Sequence, residues 1–166
     1  DEALEGYAAE TFNNPQSILN KLKETPVEPL ERGPFGINLD GLTYRFPDST
    51  ASLFHHSFEE AFQLIVDKPG FMTTTGTVLI DLAYYDASLA GNIVEELEKR
   101  GYEDKIKILF FTLVRTDELY PLDNTALIID ELIKLKGKDW VGRYWEDAAK
   151  KSKESREEIE EHNRRN

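Results

Sequence analysis

VLIDLAYYDASLAGNIVEEL, residues 78–97, decides how the rest of the chain is read, because it sets Asp81 inside an apolar run and Asp86 five residues later. The run TGTVLIDLAYY (75–85) carries apolar side chains on both faces of an extended chain. That is the pattern of a central strand covered on both sides. From Asp86 onward Leu89, Ile93, Val94 and Leu97 recur at helical spacing, and Lys99, Arg100 and Gly101 supply a basic last turn and a left-handed cap. KIKILFFTLV (105–114) has the same strand-like continuity. Strand, helix and strand in that order require a right-handed crossover and two neighbouring parallel strands.

Outward from this unit, INLDGLTYRF (37–46) sets Asp40-Gly41 between two apolar runs, as a two-residue hairpin turn requires. Pro15 opens a short helix with Ile18, Leu19 and Leu22 on one face. Ser57 and Glu60 have capping-box spacing and begin a helix that runs to about Asp67. DNTALIIDELIKLKG (123–137) repeats the helix grammar. A last helix from near Asp139 carries Trp140, Val141, Tyr144, Trp145, Ala148 and Ala149 as an apolar stripe. Residues 1–12 read as a loose arm or short helix, and PVEPLERGPFG (26–36) as irregular connection. The expected fold is therefore α/β (or α+β): a mixed sheet with a β-hairpin and a parallel βαβ unit, helices covering both faces, and a long C-terminal helix. Residues 1–149 are expected to form a single acidic globular domain. Residues 150–166, a charged run broken only by Ile159, form a helical tail that protrudes or frays.

Composition narrows the function classes. Without cysteine there is no disulfide, thiol nucleophile or thiolate metal site. This composition suits a cytoplasmic protein. The start at Asp1, with no signal-like segment, leaves a processed or exported form open. No apolar stretch reaches the roughly 20 residues of a membrane span. Residues 150–166 hold six basic and five acidic side chains, leaving 14 basic against 27 acidic in residues 1–149, a net of −13. Such a body repels phosphate backbones, which argues against direct nucleic-acid binding, and it attracts cations or basic proteins.

In a parallel sheet, ligands bind at the carboxyl ends of the strands. Asp81, Tyr84, Tyr85 and Asp86 fall at that end of the first strand, and Arg115 at that end of the second. Asp81 and Asp86 are candidate Mg²⁺ ligands, since a hard cation takes carboxylate oxygens, and Arg115 is a candidate phosphate ligand. Against this, Asp86 also sits where a helix N-cap belongs, and a lone buried Asp81 needs a partner. His55 and His56 are weak candidates for a general base beside Asp81. No serine lies in a Gly-x-Ser-x-Gly elbow, so serine-hydrolase chemistry has no support.

VLIDL followed by DAS at a helix start resembles the STAS domains of partner-switching signalling, over residues 78–88 alone. The resemblance implies phosphorylation at Ser88. The second serine and glycine usual in that family are missing, and the upstream elements differ in order.

The leading expectation is a non-catalytic protein-interaction or regulatory domain without a cofactor. Its acidic surface steers a basic protein partner, and aromatic residues anchor the contact: Tyr84 and Tyr85, or Trp140 and Trp145 where incompletely covered. The first alternative is a Mg-dependent enzyme or nucleotide/phosphate-binding domain using Asp81, Asp86 and Arg115. The second is an acidic nucleic-acid-mimic inhibitor.

Overall fold

The computed structural model describes residues 2–24, 39–66, 74–119 and 123–165, and among them every element is an α-helix. In chain order these are α1 (Glu2–Asn13), α2 (Pro15–Glu24), α3 (Leu39–Arg45), α4 (Pro47–His56), α5 (Phe58–Val66), α6 (Thr74–Lys99), α7 (Glu103–Leu119), α8 (Asp123–Lys136) and α9 (Lys138–Arg165). The irregular connection read at residues 26–36 lies outside the described residues.

The expected mixed sheet, hairpin and parallel βαβ unit are therefore corrected to a helical bundle. The reason lies in α6, which packs against α3, α4 and α5 of an N-terminal layer and against α7 and α8. Val78, Leu79, Ile80, Leu82 and Ala83 are all buried, at successive angles around the helix axis. A helix covered on every face is apolar all round, and over so short a run it looks like a buried strand. In α7 the fully buried set is Ile106, Leu109, Phe110, Leu113 and Val114, a helical stripe at i, i+3, i+4, i+7 and i+8. Half-buried Ile108 and Phe111 fill the gaps in that stripe and conceal its period. The supposed hairpin turn, Asp40-Gly41, lies in the first turn of α3, where Leu39 and Leu42 share a buried face. With no strand in residues 78–88, the likeness to STAS domains has no structural counterpart.

The helix-end signals were sound. Gly101 takes φ +83°, the Tyr102 amide donates to the Leu97 carbonyl at 2.8 Å, and the Gly101 amide donates to Glu98 at 3.1 Å. This pair of bonds closes the end of α6. Gly137, at φ +91°, separates α8 from α9. The Glu60 amide donates to Ser57 Oγ at 3.3 Å, capping α5 as the spacing predicts.

Two glycines let α6 approach its neighbours. A Cβ at Gly76 would lie 2.6 Å from Thr112 Oγ1 and 2.8 Å from Thr112 Cβ. Thr112 is β-branched and its hydroxyl donates to the Ile108 carbonyl at 2.8 Å, so it yields poorly. A Cβ at Gly91 would instead meet the ends of Leu135 and Glu131, which can swing away. Gly76→Ala is expected to cost about 1–3 kcal/mol and Gly91→Ala distinctly less. Thermal unfolding of the two variants side by side checks the order.

The last helix crosses α7 and α8. Phe110 meets Trp140 edge-on at 5.9 Å and stacks on Tyr144 at 5.2 Å. Ser152 is the last buried residue of α9, its hydroxyl donating to Glu118 at 3.2 Å, and beyond it all but Ser155 are exposed. Among the described residues no helix is long and apolar enough to cross a membrane.

Candidate functional site

The fold places the candidate residues on helices: Asp81, Tyr84, Tyr85 and Asp86 on α6, and Arg115 on α7. Asp86 breaks α6 with extended backbone (φ −149°, ψ 86°), and its Oδ1 accepts from the Leu89 amide at 3.0 Å. It is the N-cap of the helix's second half, and that carboxylate oxygen is engaged. Tyr84 and Tyr85 stand exposed just before this break. Arg115, on α7, lies over the Phe111 ring at 5.9 Å. His55 and His56 are exposed in the last turn of α4, where His56 Nε2 meets Gln16 Oε1 at 3.1 Å. Without strands, the crevice at strand carboxyl ends that would have held Mg²⁺ does not exist among the described residues. No group of three or more His, Asp or Glu placed to hold a metal occurs among them either.

A second buried acid, Asp40, feels the charge of Asp81. Asp40, in the first turn of α3, is only 4% exposed, and its Oδ2 has no hydrogen-bond partner. Asp81 Oδ2, on the central helix, is likewise buried and unpartnered. Burial, and then the Asp81 charge, push the Asp40 carboxyl up to about 7. Burial alone raises Asp81 to about 6. At Asp40 desolvation and like charge act in the same direction, and both favour the protonated form. Asp40 was overlooked because Asp-Gly reads as a turn. The available signal was Leu39 and Leu42 at i and i+3 around it.

A second feature is open to the surface. Helices α8 and α9 enclose a groove of about 680 Å³ that reaches the end of α7. Its walls are Ile129 and Ile133 from α8, and Val141 and Trp145 from α9. Each pair is four residues apart and therefore lines one helix face. Among the described residues, exposed Asp117, Asp130 and Glu146 line its edge against one cation, Lys138. Gly142 also lines it, and a Cβ there would meet nothing within 4 Å. Of the two tryptophans, Trp145 faces this groove. Trp140 is nearly buried and donates its Nε1–H to Glu98 at 2.7 Å. The α8 wall escaped sequence reading, although its signal was present. Leu127, Ile128, Ile129, Leu132, Ile133 and Leu135 cover more of the helix than one core face needs.

Another cleft of about 570 Å³, beside Trp140, Arg143 and Tyr144, mixes both charge signs. Its Glu98 is already bonded to Lys136 and Trp140. The α8–α9 groove is thus the better candidate site, being apolar inside and acidic at the edge. Compared with protein-family models, with curated proteins and with solved structures, the chain has no match in any of the three.

Proposed function

We propose that the chain is a non-catalytic interaction domain that docks a basic protein partner. The observation that carries this reading is the α8–α9 groove, apolar within and rimmed by Asp117, Asp130 and Glu146. Apolar burial supplies affinity, and the rim carboxylates, backed by a body of net charge −13, supply steering and choice of partner. Trp145 is the anchor residue, since a half-exposed indole in a groove wall gains most on being covered.

Selection of a random peptide library on the immobilised chain tests the reading. Winning peptides are expected to be rich in Lys and Arg, and their capture should weaken as salt screens the rim. Winners without net positive charge, or capture indifferent to salt, would remove the case for a basic partner.

A further inference from the structure

The groove also constrains the partner's form, and this step rests on the docking reading above. We infer that it receives a single amphipathic helix from the basic partner, with apolar side chains at i, i+4 and i+7 and Lys or Arg flanking them. Three observations carry the inference.

The first is length. The lining of α8 runs from Thr125 to Ile133. Eight residue steps at 1.5 Å make about 12 Å, and i to i+7 on a bound helix spans about 10.5 Å. The second is shape. The walls are two adjacent helices, so the groove is a trough between ridges, which a third helix fills as in bundle packing. Gly142 leaves the α9 wall open where a bulkier residue would close it. The third is charge. Among the described residues the lining carries three carboxylates against one ammonium, so basic flanks are attracted and acidic flanks repelled.

Three labelled synthetic peptides make the test, read by fluorescence anisotropy on the full chain at low salt. One sets Leu at i, i+4 and i+7 in a Lys/Ala helix. The second keeps those leucines and replaces each Lys by Glu. The third scrambles the first, destroying the apolar face while keeping composition. The first should bind at least roughly tenfold tighter than either other. Gly142→Leu, which fills open space and replaces a helix-interior glycine, should fold and lose that binding by a similar factor. Replacing Tyr84 and Tyr85 by serine should leave it unchanged.

Equal binding of the first and scrambled peptides, or undiminished binding to Gly142→Leu, would overturn the helix-in-groove inference while leaving a basic partner in place. If the Glu peptide binds as well as the Lys peptide, or neither Lys peptide binds, the inference and the docking reading fall together.

Discussion

At pH 8 the Asp40→Asn variant is expected to be more stable than the parent chain, by on the order of 2–4 kcal/mol, and the advantage should shrink as the pH falls towards 4. Asp40 rises from the usual 3.8 to about 7, first because it is buried and then because Asp81 is near. Between those two values the folded chain holds a proton that the unfolded chain has lost. Stability from this group is therefore fully present below the unfolded value and drains away as pH rises through the window. Asp81, raised to about 6 by burial, adds to the slope in the same sense. Asparagine does not ionise, so it removes Asp40's share. Urea unfolding of the parent, Asp40→Asn and Asp81→Asn at pH 5 and pH 8 reads the effect. A parent whose stability is level between those pH values, or an Asp40→Asn chain weakened at pH 8, would contradict it.

The second large effect is expected at Phe110, which is fully buried and touches both Trp140 and Tyr144. Phe110→Ala removes the ring that joins α9 to α7 and should cost about 3–5 kcal/mol, lowering the unfolding midpoint by roughly 10 °C. Phe110→Leu keeps most of the apolar volume but loses the ring contacts, and should cost only about 1–2 kcal/mol. Because the lost contacts are those of α9, protease cleavage within residues 138–150 should accelerate in the alanine variant before the core melts. Equal cleavage rates in the two variants would show that α9 is held elsewhere.

What the sequence disclosed, and what it hid, follows from how local each signal is. Helix ends depend on a few neighbouring residues, so Gly101, Gly137, Ser57 and Pro15 were readable one at a time. The class of the central elements depends on what surrounds them. Val78 to Ala83 look alike whether a sheet or a ring of helices buries them, and only the contacts of α6 with α3, α4, α5, α7 and α8 decide. In α7, Ile108 and Phe111 blurred a period that Ile106, Leu109, Phe110, Leu113 and Val114 keep intact. The strand reading also fixed the expected site, because it placed Asp81, Asp86 and Arg115 at the carboxyl ends of strands that the helices replace. Asp86's capping role was legible from its position before a helical run. The influence of Asp81 on Asp40 was not, since Asp40 lies 41 residues earlier in the chain. The groove is half visible in the sequence: Trp145 is a candidate anchor there, while DNTALIIDELIKLKG (123–137) reads only as a helix.

The docking of α9 by Ser152 has a mechanical consequence. From Ser152 to Arg165 is 13 residue steps (165 − 152), or about 20 Å of helix at 1.5 Å per residue. That segment behaves as an outrigger, fastened at one end through Glu118 and surrounded by water along its length. In its last turn Arg164 and Arg165 pair with Glu161 at (i, i+3) and (i, i+4), away from the core. High salt, which weakens those exposed pairs, should loosen the last turn first.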